Sequence, residues 1–171
     1  MGIIMLRLKL FWFGFCGRFF KKKYKIGKYF ICDNPNTITL GNKVKIGLRN
    51  SFYSKYGHIE IFDGVCTNNN VTFNASIGGK ISIGTGTLIG PDVYIVSNSH
   101  KYGKNFNLLL SGHTIADVII GQNVWIGRGA TILPGIKIGE NSVVAAGSVV
   151  TKNISDNVVV AGNPAKIIKV M

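Results

Sequence analysis

His58, His100 and His113 are the three histidines of this 171-residue chain. Imidazole is the side chain best suited to accept a proton near neutral pH. His100 stands out by position: it closes the segment Ile95-Val96-Ser97-Asn98-Ser99-His100 and opens an insertion running to residue 119. A histidine at the mouth of a loop can serve as general base toward a hydroxyl, a poor nucleophile on its own. It can equally be a plain turn residue, and the residue alone does not choose. Asp92 and Asp117 are carboxylates able to orient the ring through its other nitrogen. Asp92 also reads as a turn residue and Asp117 as the end of the insertion. His58, beside Gly57 and Ile59, reads as a loop residue, and His113 as a solvated one within reach of an acceptor.

Other chemistries find little support. The histidines are separated by 42 and 13 residues, which does not fit three ligands of one metal. Cys16, Cys32 and Cys66 are odd in number and share no metal-ligand spacing, so neither a disulfide framework nor a zinc site is expected. The reading is an intracellular protein with reduced thiols. There is no Walker loop and no dinucleotide glycine motif.

A six-residue period positions these side chains. From Ile120 the chain reads IGQNVW, IGRGAT, ILPGIK, IGENSV, VAAGSV, VTKNIS. The first position is always aliphatic: Ile120, Ile126, Ile132, Ile138, Val144 and Val150. The second is often glycine. The same pattern starts at Ile83, Ile89 and Ile95, more weakly at Ile61, Thr67 and Phe73, and again at Leu40 and Ile46. Frame slips fall at 52–61, 79–82 and 101–119, where loops are expected. Six is neither the 3.6 of a helix nor the 2 of a strand. It reads as a hexapeptide β-helix, three hexapeptides to a triangular coil. Glycine at the second position answers either a positive φ or a close backbone approach. Crossovers between parallel strands are right-handed in about 98% of cases, so physics alone favours a right-handed coil.

The charge sits elsewhere. The chain carries +13, yet only 16% of its residues are charged. Residues 1–30 hold eight basic residues, no acid and nine of the 18 aromatics. This marks residues 1–36 as a helical basic-aromatic arm or cap, and 37–171 as the β-helix domain. The uncharged run Leu10 to Gly17 is too short to span a bilayer, and no signal-peptide cleavage site follows it. Such an arm either caps the first coil or lies on an anionic membrane surface.

Four blocks occur in order: Trp125-Ile126-Gly127, Ile132-Leu133-Pro134-Gly135, Ala146-Gly147-Ser148-Val149-Val150-Thr151-Lys152 and Ala161-Gly162-Asn163-Pro164-Ala165-Lys166. Over about residues 38–171 the chain resembles the hexapeptide-repeat acyltransferases, in style the short bacterial O-acetyltransferases of sugars and surface polysaccharides. The resemblance implies an all-β, left-handed parallel β-helix, an exception to the crossover rule, with a projecting loop at about 101–119. It further implies acetyl-CoA as donor, no metal, and a cytoplasmic homotrimer with three active sites between subunits. His100 matches the catalytic histidine of galactoside-type relatives. Asn68 matches, loosely, an asparagine lining the acceptor pocket; its alternative is a turn ladder in Asn68-Asn69-Asn70. Trp125 matches a tryptophan near the acyl end of the cofactor; its alternative is an aromatic packed on the insertion. Coenzyme A carries over to Arg128, Ala146, Thr151, Lys152 and Lys169, with Lys166 a further phosphate candidate, and solvated turn lysines are the alternative.

The expected function is acetyl transfer to a hydroxyl of a sugar, a surface polysaccharide or its precursor, with histidine as general base. An N-acetyltransferase acting on an amino sugar or antibiotic is the alternative. Two further alternatives are a metalloenzyme and a scaffold binding membrane or nucleic acid. The histidine spacing speaks against the first, and His100 with the AGSVVTK block against the second. No nucleic acid is expected, and residues 1–30 supply possible contact with the inner membrane face.

Overall fold

The computed structural model describes residues 24–104, 107 and 109–171. Most of the arm expected to be helical, residues 1–23, lies outside the described residues. From Lys25 onward, short strands and turns wind into an all-β parallel β-helix of about six turns. The one helical element among the described residues is the 3-10 turn Pro35–Thr37.

Each turn gives one strand to each of three faces. The first face stacks Lys25–Ile26, Lys45–Ile46, Cys66–Thr67, Leu88–Ile89, Trp125–Ile126, Val143–Val144 and Val158–Ala161. The second stacks Ile31–Cys32, Ser51–Tyr53, Thr72–Asn74, Tyr94–Val96, Thr131–Ile132 and Val149–Val150. The third stacks Ile38–Leu40, His58–Ile61, Lys80–Ile83, Val118–Ile120 and Lys137–Ile138, and Ile154 bridges onto it. Neighbours within a face are parallel until Lys166–Val170 turns back antiparallel on Val158–Ala161.

Every hexapeptide anchor points inward. Leu40, Ile46, Ile61, Phe73, Ile83, Ile95, Ile126, Ile132 and Val150 are buried in one continuous core. In the lower coils the column is aromatic: Phe30, Phe52 and Phe73 stack edge to face, centroids 5.0 and 4.6 Å apart. Tyr24 and Ile26 also pack on this core. Residues 24–36, grouped with the arm above, therefore belong to the first coil. Their basic and aromatic composition hid an anchor pattern running through Ile26 and Cys32.

The second-position glycines answer close approach rather than positive φ. A Cβ on Gly121 would stand 2.9 Å from the Glu140 nitrogen of the next coil. The left-handed residue comes two positions later, and glycine is only one occupant: Gly129 (φ 67°), Asn70 (59°), Asp92 (61°), Asn123 (53°) and Asn141 (56°) all take it.

Coil length varies. Trp125 stacks on Val143 and Thr131 on Val149, steps of 18 residues. Below, Lys25, Lys45, Cys66 and Leu88 follow one another at steps of 20, 21 and 22. The extra residues form the corner between second and third faces, at 54–57 and 75–79. The slip expected at 79–82 thus begins earlier, because Lys80–Ile83 is already strand.

Candidate active site

The insertion leaves from this same corner, one coil higher. It is a β-hairpin rather than an irregular loop: peptide groups that leave the coil still need hydrogen-bond partners and find them in each other. Asn98–His100 and His113–Ile115 pair antiparallel, with Asn98 opposite Ile115, Ser99 opposite Thr114 and His100 opposite His113. The Lys101 N–H donates to the Gly112 carbonyl at 3.1 Å, and the Ser111 hydroxyl to the Lys101 carbonyl at 3.0 Å. The coil resumes at Val118.

The hairpin base is pinned to the coil beneath. The buried Ser97 hydroxyl donates to the Gly78 carbonyl (2.8 Å) and the Asn98 amide to the Asn74 carbonyl (3.3 Å), while the Ala116 N–H closes the hairpin's own base on the Ser97 carbonyl (2.9 Å). A Cβ on Gly78 would stand 3.0 Å from Ile115 Cδ1, so the glycine leaves room for that side chain. His100 is exposed and His113 half-buried. Their rings lie 4.5 Å apart, tilted by 40°. His113, read from sequence as a solvated loop residue, is thus the direct neighbour of His100.

Neither candidate carboxylate orients His100. Asp117 Oδ1 accepts from the Lys80 N–H at 2.7 Å and holds the hairpin's exit. Asp92 accepts from the Asn70 amide and from Arg128 Nε, each at 3.0 Å, tying three successive coils. The Asn70 amide first, then the Arg128 guanidinium, holds the Asp92 carboxyl below its usual range. His58 lies in the strand His58–Ile61, not in a loop, and its Nε2 sits 3.2 Å from the Thr39 hydroxyl.

The remaining candidates fall into two sets. Asn68, Arg128 and Ala146 lie on the corner between first and second faces, and Trp125, 57% exposed, opens the strand Trp125–Ile126 on the adjoining first face. Lys166 and Lys169 belong to the returning strand on that same face, opposite Ala161 and Val159. His100, with Thr151 and Lys152 two coils higher, stands on the next corner. One side of the triangle, on the order of 15–20 Å for six residues, separates the sets. The Asn68 Oδ1 accepts from the Asn69 N–H at 2.8 Å, on a different corner from the one that carries the hairpin. The asparagine that the fold does place beside the hairpin is Asn74, whose amide donates to the Tyr94 hydroxyl at 2.9 Å. Its outward position follows from the repeat, but its nearness to residue 98 follows only from coil stacking.

No group of three or more His, Cys, Asp or Glu that could hold a metal occurs among the described residues. Nor is any helix among them long and apolar enough to cross a membrane.

Stacked hexapeptides with a hairpin projecting from one corner define a class of β-helix protein. A family model, Bacterial transferase hexapeptide (six repeats), matches residues 117–152. A galactoside O-acetyltransferase of Lactococcus lactis subsp. lactis (strain IL1403) is 36% identical over 125 residues, 68% of this chain and 56% of its own length. Among solved structures, a maltose O-acetyltransferase from Clostridium difficile 630 matches with a TM-score of 0.61 at 30% identity, covering 84% of this chain and 70% of that one. The hexapeptide-repeat acetyltransferase VCA0836 of Vibrio cholerae O1 biovar eltor, solved with acetyl coenzyme A, matches at 0.61 and 26% identity, covering 87% and 68%. The chain belongs to the hexapeptide-repeat acetyltransferase family. It spans little more than half the length of the galactoside enzyme.

Proposed function

We propose that this protein transfers an acetyl group from acetyl-CoA to a hydroxyl of a sugar, a surface polysaccharide or its precursor. The observation that carries this reading is His100: an exposed imidazole at the mouth of the coil, braced by its own hairpin, in a chain of this family. Relatives named for galactoside and maltose favour a sugar hydroxyl, and a neighbour solved with acetyl coenzyme A favours that donor.

In this reading a ring nitrogen of His100 takes the hydroxyl proton as the oxygen bonds to the thioester carbonyl carbon. Nearby N–H donors stabilise the resulting oxyanion. When the carbon–sulfur bond breaks, the imidazolium returns the proton to the leaving sulfur, giving coenzyme A thiol and the acetyl ester. Trp125 lies along the acyl arm and Asn68 lines the acceptor pocket. Arg128, Ala146, Thr151, Lys152, Lys166 and Lys169 hold the coenzyme. Because one chain carries these groups on two corners, the complete site needs a second copy alongside, and a homotrimer closes three such sites. The protein works in the cytoplasm, with the part of the arm that precedes the first coil, residues 1–23, at the inner membrane face.

Replacing His100 by Ala tests the assignment. Turnover with acetyl-CoA and the best of a galactoside, maltose, an amino sugar and a streptogramin is expected to fall by about 10²–10⁴-fold. Acetyl-CoA binding and oligomeric state are expected to persist. Near-normal turnover would overturn the role of His100, and transfer to the amino sugar alone would replace O- by N-acetylation.

A further inference from the structure

We propose that His113 is a positioning residue that fixes the bearing of the His100 ring toward the acceptor hydroxyl. This rests on the reading of His100 as general base. An exposed side chain on a two-stranded ribbon is free to sample its staggered rotamers. A general base needs one: its nitrogen must lie within hydrogen-bond reach of the proton it takes. In relay-type sites a carboxylate supplies that constraint. Here neither candidate carboxylate does so: Asp117 is committed to the Lys80 N–H, and Asp92, on the corner between first and second faces, to Asn70 and Arg128. Among the described residues, the ring contact at 4.5 Å is the constraint His100 has.

The hairpin makes that contact dependable. His100 and His113 are directly opposed in the antiparallel register, where side chains on one face meet. His113 is the less exposed of the two. It sits two residues from Ile115, for which Gly78 leaves room, and Asn98, on the same side of the ribbon, bonds to the Asn74 carbonyl. One imidazole is therefore a fixed wall and the other the mobile group laid against it. Aromatic faces in contact hold a preferred geometry, so any flat ring at position 113 should serve, and a methyl group should not.

Two readouts test this on the full chain. With only three histidines, selectively labelled protein gives three imidazole signals. A cross-relaxation peak between the ring protons of His100 and His113 is expected, and its absence overturns the proposal. In steady-state kinetics with acetyl-CoA and the accepted sugar, His113→Ala should lower kcat about tenfold and leave KM for acetyl-CoA within about twofold. His113→Phe should recover most of the loss. Unchanged kcat in His113→Ala refutes positioning, and a Phe variant as poor as the Ala variant refutes it too, because His113 would then act through its nitrogens and not as a flat wall. If His100→Ala retains turnover, the general-base reading falls instead, so the two failures are separable.

Discussion

Single side chains here act between coils rather than along the chain. Asp92 is the clearest case, joining Asn70 below to Arg128 above. Its carboxyl is held below the usual value of 3.8 by the Asn70 amide and then by Arg128. A carboxylate with a depressed folded-state pKa stabilises the fold above its unfolded value, and that contribution disappears as pH falls through the folded one. The gap in Tm between wild type and Asp92→Asn should therefore be constant above about pH 5 and close as pH drops below the ordinary carboxylate range. A gap that stays open in acid would mean that the substitution acts through the turn, where Asp92 takes φ 61°. The ladder could not be read from sequence, because its members lie 22 and 36 residues apart and no spacing rule links them. The same applies to His113: it reaches His100 through pairing within an insertion that carries no period. The inward-facing residues were legible, since each anchor repeats its own chemistry six residues on.

At the scale of the hexapeptide, two glycine positions have different physical reasons and should respond differently to substitution. Gly127 faces the next coil, and a Cβ there would stand 2.5 Å from the Ala146 nitrogen. Gly129 has φ 67° and open space around the missing Cβ. Backbone cannot yield locally at Gly127, so even Ala should force the two coils apart. At Gly129 only the left-handed conformation is at stake, costing an ordinary residue about 1–2 kcal/mol. Asn already takes the equivalent place at Asn70, Asn123 and Asn141. Urea unfolding should thus give Gly129→Asn within about 0.5 kcal/mol of wild type, Gly129→Val a loss of about 1–2 kcal/mol, and Gly127→Ala a loss above both. Gly127→Ala matching Gly129→Asn would show that the coils can separate freely. The uninterrupted period at 120–155 gave the upper coils their register. The lower coils were harder to read, because their corners at 54–57 and 75–79 lengthen the step to 21 and 22 residues.

For the molecule as a whole, the stacked core accounts for one chain, while the candidate chemistry is split across two of its corners. Leu88 and Trp125 are neighbours on the outside of the first face, 52% and 57% exposed. Side chains of that size left half in solvent on adjacent strands form an apolar strip suited to an interface or a ligand groove. The His100 hairpin projects from a different corner, so the strip of one copy and the hairpin of another must meet for the proposed reaction to run. Association and turnover should then fall together on dilution. Sedimentation should give a mass near 56 kDa, three times the 18.6 kDa chain, at concentrations where specific activity is constant. Below the dissociation midpoint, specific activity should decline in step with the trimer fraction, as mass action requires for a site built from two copies. His100→Ala mixed with a variant disabled at Trp125 should also recover part of the lost turnover, because some mixed interfaces then pair an intact hairpin with an intact strip. Activity that persists in a dilute monomer, or a mixture with no recovery, would place the whole site within one chain.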